Sequence, residues 1–345
     1  MTTSRGGGED DSEVVGARGL REWITGERDR YARVFLVDSG VATSVLVPVV
    51  GDDDLLLLPV ESEPYDGPAR ALRYRGELTE IGDELFFGER GVELQDYVAA
   101  AYVQIVGPTA VCLLDGPSRR AFLDDAALAR RTGVFPSALI DPRVLLAGRD
   151  ALAAPTELEL PSALRVHGDG QVSVGVRGDV VGSIADLPAV LATPLPRAVA
   201  LGAGESKTEF VAELTSREGI RRYLLATDLM KMLRLVNGTA RISGFGWHLI
   251  DDDDDGRADA EPLAADPFLL ETADGLVLAD TTTLRRQLLS PVTAQVVAVM
   301  QTSSAPGVAA ERIARILDLP FSDADDLCRE AATRLGIHVG GRVDA

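Results

Sequence analysis

Two local spacings in this sequence carry residues that could hold a ligand through their own chemistry. The first is Gly202-Ala-Gly-Glu-Ser-Lys-Thr208, which follows the apolar run Ala198 to Leu201 and precedes a helix-patterned stretch. A loop that cradles phosphate needs G-x-x-x-x-G-K-[ST], because its glycines let backbone amides curl round the anion. Here Lys207 stands five positions after Gly202, and the glycine that should precede the lysine is absent. The spacing supports a Gly-rich loop that caps a helix, with a nucleotide site at Gly202 to Thr208 as the alternative. The second is Asp251 to Gly256, which gives D-x-D-x-D-G, the first half of a calcium loop. Asp259 fits loop position nine, but Pro262 stands where the bidentate glutamate belongs, with Glu261 one place early. A solvated acidic linker is the plainer reading, with weak Ca²⁺ binding as its alternative.

No other catalytic pattern is present. The chain has no G-x-S-x-G elbow, no H-E-x-x-H and no C-x-x-C. His167, His248 and His338 are the three histidines and stand apart, which excludes a local His-based metal site. Cys112 and Cys328 lie far apart among apolar neighbours and read as buried, reduced thiols of a cytoplasmic protein. No catalytic residue and no cofactor is assigned from the sequence, although a site assembled in space stays open.

The elements that must position any site follow from periodicity. The 345 residues call for two or three domains. The hydrophobic fraction of 46% and charged fraction of 26% are those of an ordinary globular chain, with no run long enough for a membrane span. Residues 1–18, polar and Gly-rich, read as a disordered tail. Residues 19–155 read as a mixed α/β domain: a helix over Leu20 to Ala32, then a meander of strands over Arg33 to Asp38, Thr43 to Val50, Leu55 to Val60, Arg70 to Arg75 and Glu84 to Phe87. A helix over Leu94 to Val106, a strand over Ala110 to Asp115 and a helix capped by Ser118 complete it. A Pro-, Thr- and Glu-rich stretch from Pro155 to Pro161 marks a boundary. Residues 162–250 read as an α+β region, with a hairpin over Val166 to Val174, a long helical stretch over Glu209 to Val236 broken near Gly219, and a strand over Ile242 to Ile250. Residues 251–263 form the acidic linker.

Residues 264–341 have the clearest order. Phe268 to Ala273 and Leu276 to Asp280 flank Asp274-Gly275, a type I′ hairpin signal. A third strand, Leu284 to Leu289, ends at Ser290-Pro291, an N-cap followed by proline at the first helical position. Three helices follow: one from Pro291 towards Ser303, one over Val308 to Leu317, and one opened by Ser322 and Asp325 and stopped at Gly336, before a short strand at Ile337 to Val339. Three strands and three helices make a small winged helix-turn-helix, so the fold class is α+β.

Such a module suggests DNA with its last helix in the major groove. Charge argues otherwise. The whole chain carries −20, and Phe268 to Gly341 holds nine acidic against six basic side chains, with Asp323, Asp325, Asp326 and Glu330 on the last helix. An acidic leading end repels phosphate, which excludes a general nucleic-acid binder and leaves a DNA regulator as the weaker alternative.

The order hairpin, strand, three helices, with Leu289-Ser290-Pro291-Val292-Thr293-Ala294 and a closing Leu335-Gly336-Ile337, resembles the PqqD-like RiPP recognition element. Members commonly show Leu-Asn-x-Thr-Ala at the first phrase, and an Asp-Gly where this chain has Ala305-Pro306-Gly307. The resemblance covers the last fifth of the chain. It implies binding of the leader of a ribosomally made precursor peptide, by strand addition at the third strand, with side chains entering a groove against the last helix. The contacts implied are Leu284, Arg285, Arg286, Gln287 and Leu288 on the strand, and Asp326, Arg329, Glu330 and Thr333 on the helix. The chain as a whole is similar in character to the stand-alone recognition protein of actinobacterial daptide-type pathways. That implies a non-catalytic adaptor that presents the leader to a partner such as an oxidative decarboxylase, with no nucleic acid or membrane as partner. The alternative is an enzyme whose residues 20–250 act on a peptide brought in by the C-terminal module. Arg285 and Arg286 as charges that keep an edge strand from pairing, with Leu284 and Leu288 as core residues, is the purely structural alternative.

Overall fold

The computed structural model describes residues 7–202, 206–217, 219–250 and 258–342. It is a mixed α/β structure with one large sheet and a group of C-terminal helices. Backbone contacts divide it into two units, one of residues 1–123 and 143–218, the other of residues 124–142 and 219–345.

The helices, in chain order, are α1 (Gly7–Thr25), α2 (Tyr97–Ala100), α3 (Gly116–Thr132), α4 (Ser137–Ile140), α5 (Arg149–Ala153), α6 (Leu187–Ala192), α7 (Lys207–Ser216), α8 (Gly219–Leu233), α9 (Pro291–Gln301), α10 (Pro306–Leu317) and α11 (Phe321–Leu335). The first unit is built on β1 (Val34–Val37), β2 (Leu55–Pro59), β3 (Arg70–Gly76), β4 (Glu84–Phe87), β5 (Arg90–Asp96), β6 (Thr109–Cys112), β7 (Val144–Leu146), β8 (Leu158–Glu159), β9 (Ala163–Val166), β10 (Gln171–Val174), β11 (Val180–Ser183) and β12 (Leu195–Pro196). Ten of these form one sheet in the order β11-β10-β9-β1-β2-β3-β4-β5-β6-β7, and β8 pairs with β12 separately. β9, β1, β2 and β3 run parallel, as do β5, β6 and β7.

Every residue of β1 and β2 is buried, because alternate side chains enter two cores. Leu36, Leu55 and Leu57 pack with Leu20, Trp23 and Ile24 of α1. Phe35, Leu56 and Leu58 pack with Leu187, Val190 and Leu191 of α6 on the other face. Continuous apolar runs of this kind belong to parallel strands covered on both sides, so the expected meander is corrected to parallel pairing through β1, β2 and β3.

Several expected elements differ for physical reasons. Residues 7–18 belong to α1 rather than to a disordered tail. Two glycines of α1 serve close packing: a Cβ on Gly16 would stand 2.5 Å from the Phe87 ring, and one on Gly19 would stand 2.1 Å from Leu55. Thr43 to Val50 is a 3₁₀ turn and loop, with the Leu46 carbonyl accepting from Val49 and Val50. The helix expected over Leu94 to Val106 is instead the end of strand β5, the four-residue α2 and a loop, with the start of α2 fixed by the Asp96 carboxylate accepting from Val98 and Ala99. No break falls at Pro155 to Pro161, because β9 pairs directly with β1.

The second unit carries the sheet β14-β13-β16-β17-β18, from β13 (Ala240–Ser243), β14 (Gly246–Trp247), β16 (Phe268–Thr272), β17 (Gly275–Ala279) and β18 (Arg286–Leu288). β15 (Ala260–Glu261) pairs with β19 (Gly341–Arg342), so the last strand lies beyond the expected Ile337 to Val339. One face of the sheet, through Leu269 and Leu278, packs with Val296, Val297, Ala310, Ile313 and Cys328 of α9 to α11. On the other face the Arg222 guanidinium of α8 lies 4.2 Å from the Phe268 ring centroid and donates to the carbonyls of Leu263 and Asp266. The Ser290-Pro291 start holds: Ser290 Oγ accepts from the Thr293 amide at 3.1 Å. α11 begins instead after Pro320, with Ser322 bonded to its neighbour Asp323, so the expected capping box is not formed. Among the described residues no helix is long and apolar enough to cross a membrane.

Candidate functional site

Local chemistry shapes the end of the second unit's sheet. Asp274-Gly275 turns the chain from β16 into β17, with Gly275 at φ +121°, a value that favours glycine. After β17, the Asp280 carboxylate gathers the next loop. It accepts from the amides of Thr282 and Thr283 at 2.7 and 3.2 Å and from the Thr283 hydroxyl at 2.6 Å. Partial burial raises its pKa, but those bonds and the nearby Arg285 charge outweigh that and hold it below the usual carboxylate range. The loop ends at Leu284, whose φ of +57° is rare for a leucine and whose side chain is 67% exposed.

β18 then pairs antiparallel with β17, Ala279 opposite Arg286, Leu278 opposite Gln287 and Val277 opposite Leu288. It is the terminal strand. The bonds from the Asp280 amide to the Arg285 carbonyl and from the Leu289 amide to the Leu276 carbonyl set the phase of the ladder. Since backbone groups alternate in direction, Arg285, Gln287 and Leu289 face β17, and the N–H and C=O of Arg286 and Leu288 face outward. All three residues of β18 are exposed, Leu288 at 65%. The alternative of Leu284 and Leu288 as core residues is thereby corrected.

The nine residues singled out from the sequence fall into two groups. Leu284, Arg285, Arg286, Gln287 and Leu288 form the edge just described. Asp326, Arg329, Glu330 and Thr333 share the face of α11 opposite its buried Ala324, Cys328 and Ala331. Their contacts run along the helix: Arg329 pairs with Asp325 and Asp326, Glu330 with Arg334 at 2.8 Å, and the Thr333 hydroxyl donates to the Arg329 carbonyl at 2.8 Å. Among the described residues no hydrogen bond or ion pair joins this group to Leu284–Leu288.

The other sequence candidates are committed elsewhere. Lys207 forms an ion pair with Asp179, so its ammonium is taken, and Gly202 lies against the Arg177 carbonyl. Residues 203–205 of that loop, and Asp251 to Gly256 of the calcium pattern, lie outside the described residues. Asp259 accepts from the Ser304 amide at 3.0 Å and from its hydroxyl, and Glu261 pairs with Arg130. Burial pushes the thiols of Cys112 and Cys328 up to about 12 and about 11, which keeps both protonated and inert.

The sequence reading missed one constellation. Ser173 Oγ lies 2.8 Å from His167 Nε2, and His167 Nδ1 lies 3.3 Å from the Asp38 carboxylate. This is the order of a nucleophilic triad, but its members are spent on support. Ser173 is 4% exposed, and Arg165 Nε donates to both Asp38 oxygens at 3.0 and 3.2 Å. Arg165 also donates to the Leu78 carbonyl and the Thr79 hydroxyl, and Tyr74 to the Val37 carbonyl. The network braces the ends of β1 and β9. The tight hairpin around Gly168-Asp-Gly170 was the available signal for the His167–Ser173 pair; nothing local pointed to Asp38.

No protein-family model matches the chain, and neither the curated proteins nor the solved structures contain a match.

Proposed function

We propose that this protein binds a peptide segment by strand addition at β18, through a winged helix-turn-helix module that resembles the PqqD-like RiPP recognition element. The observation that carries this reading is the edge itself. β18 is terminal, the backbone groups of Arg286 and Leu288 face outward, and the side chains of Leu284 and Leu288 stand in the open. An edge strand left in this state is a template for pairing, which folds otherwise blunt or cover. An extended peptide supplies the missing ladder, and its alternating side chains supply specificity.

In this reading the peptide is the leader of a ribosomally synthesised precursor, and the protein is a non-catalytic adaptor. It presents the precursor to a modifying enzyme, with an oxidative decarboxylase of a daptide-type pathway as the partner class. Use of Lys207 by Asp179 and of Asp38 by Arg165 supports an adaptor over an enzyme. The internal pairing of Arg329 with Asp325 and Asp326 on α11 supports a peptide over DNA.

Titration of the full chain with labelled precursor peptides encoded beside its gene tests the proposal. Saturable binding is expected, with slowed hydrogen exchange at the amides of Arg286 and Leu288. The amide of Gln287, which already faces β17, should change little. Absence of saturable binding by every such precursor would sink the adaptor reading.

A further inference from the structure

We propose that the edge selects its peptide through Arg286 and Leu288, which read an acidic residue and an apolar residue placed two apart on one face of the added strand. This rests on the strand-addition reading and specifies which face is read and by what chemistry.

The register decides the face. In an antiparallel pair, residues directly opposite each other project to the same side of the sheet. Gln287 stands opposite Leu278, which packs into the core with α9 to α11, so Gln287 points to the helix side. Arg286 and Leu288 stand opposite Ala279 and Val277 and therefore project to the other side. Leu288 leans towards Gly275 there: a Cβ at Gly275 would stand 3.4 Å from its Cδ1. The two residues whose backbones are free to pair are thus the two whose side chains share the face away from α11.

Charge then decides the occupant. Several exposed arginines of this unit are paired within the fold, as Arg241 is with Glu271, Arg334 with Glu330, and Arg329 with two aspartates. Arg285 lies close enough to Asp280 to lower its pKa. Arg286 makes neither an ion pair nor a side-chain hydrogen bond among the described residues. A lone cation could serve to repel other strands, but it stands beside a leucine at 65% exposure, which invites pairing. A second copy of the edge fits poorly: antiparallel pairing centred on Gln287 sets the two Arg286 side chains diagonally across one face, like charge near like charge. An acidic side chain neutralises Arg286, while an apolar neighbour two positions on covers Leu288. Strand polarity sets only the order of the two.

The test uses the full chain and labelled threonine-rich peptides carrying leucine-x-glutamate or leucine-x-lysine, each in both orders. The better glutamate peptide is expected to bind about tenfold more tightly than its lysine counterpart, an advantage that fades in high salt. Arg286→Glu should invert that preference and Arg286→Lys should keep it, with thermal unfolding used to confirm that each variant folds. Arg286→Pro removes the outward N–H together with the guanidinium and should weaken every peptide beyond the effect of Arg286→Ala. Gln287→Ala should leave the preference unchanged. If glutamate and lysine peptides bind alike while Arg286→Pro still abolishes binding, the two-residue selection is overturned and strand addition stands. If Arg286→Pro binds as the parent does, or no peptide binds, strand addition falls with it. A dimer in sedimentation that Arg286→Pro dissolves would assign the edge to a second copy instead and overturn the proposal.

Discussion

Two regions use their arginines in opposite ways, the covered sheet of the first unit and the edge strand β18 of the second. In the first, Arg165 is 6% exposed and spends its donors on Asp38, Leu78 and Thr79. Arg73 donates to three backbone carbonyls, at Pro59, Ser62 and Glu63, and Arg33 pairs with the buried Asp54. These groups fasten loops to a sheet that is covered on both faces. At the end of the second unit's sheet, Arg286 has no such partner, and Leu284 and Leu288 stand in the open. A polar group consumed within the fold reports on architecture, and one left over at an unpaired edge reports on what the fold receives. The Ser173–His167–Asp38 series makes the same point, since its serine is 4% exposed and its carboxylate also holds the Arg165 guanidinium.

The sharpest break between spent and unspent residues is a pair of leucines on adjacent strands. Leu278 is 5% exposed in the helix-facing core, whereas Leu288 is 65% exposed. Leu278→Ala is expected to cost about 2–5 kcal/mol in urea unfolding, through lost transfer energy and the cavity left behind. Leu288→Ala should shift stability by no more than about 0.5 kcal/mol, yet weaken peptide binding. A large stability loss in Leu288→Ala would show that the edge belongs to the core after all.

Next in size is the brace in the first unit. Asp38→Ala leaves the nearly buried Arg165 guanidinium without its carboxylate. Loss of one member of a buried pair costs about 3–5 kcal/mol, reduced here to about 2 kcal/mol because Asp38 retains contact with water. Peptide affinity should not move. Loss of binding at unchanged stability would tie the first unit to recognition and dissolve the contrast.

The parts of the molecule legible in the sequence are those set by neighbouring residues. The β16–β17 hairpin follows from Asp274-Gly275, and the start of α9 follows from Ser290-Pro291, since turn and cap chemistry act over a few positions. Parallel pairing of β1 with β2 was illegible, because a buried apolar run has the same composition whichever way its neighbour runs. Gly16 was misread as a sign of disorder, and Gly19 was left outside the helix expected from Leu20; only the positions of Phe87 and Leu55 reveal that these glycines make room. At the candidate site the edge strand was legible from its β-pattern and from the Ser-Pro that ends it. The side chains of α11 were not, because charges three and four apart are satisfied along the helix itself. The face presented by Arg286 and Leu288 depends on register, which the sequence alone leaves free.

A smaller effect concerns Leu284. A leucine at φ +57° costs about 1 kcal/mol relative to a residue that tolerates the left-handed region. Leu284→Asn should therefore raise the thermal midpoint slightly, while removing an exposed apolar side chain from the edge. Greater stability with weaker peptide binding is the expected outcome, and equal binding would remove Leu284 from the recognition surface.

The mildest test is pH. Asp280 organises the loop that leads into β18, and its folded pKa lies below the ordinary value of 3.8. A carboxylate depressed in the folded state contributes stability above its unfolded pKa and loses that contribution as pH falls through the folded one. The loop amides of Thr282 and Thr283 should stay protected from exchange at neutral pH and lose protection only under acid below about pH 4. Asp280→Asn should show the weakened protection already at neutral pH, since a neutral amide accepts these hydrogen bonds less strongly than a carboxylate does. Peptide binding should decline in parallel with loop protection if the loop sets the entry to the edge. If protection is lost while affinity holds, β18 is positioned by its ladder with β17 alone, and the Asp280 loop is a connector rather than part of the receiving surface.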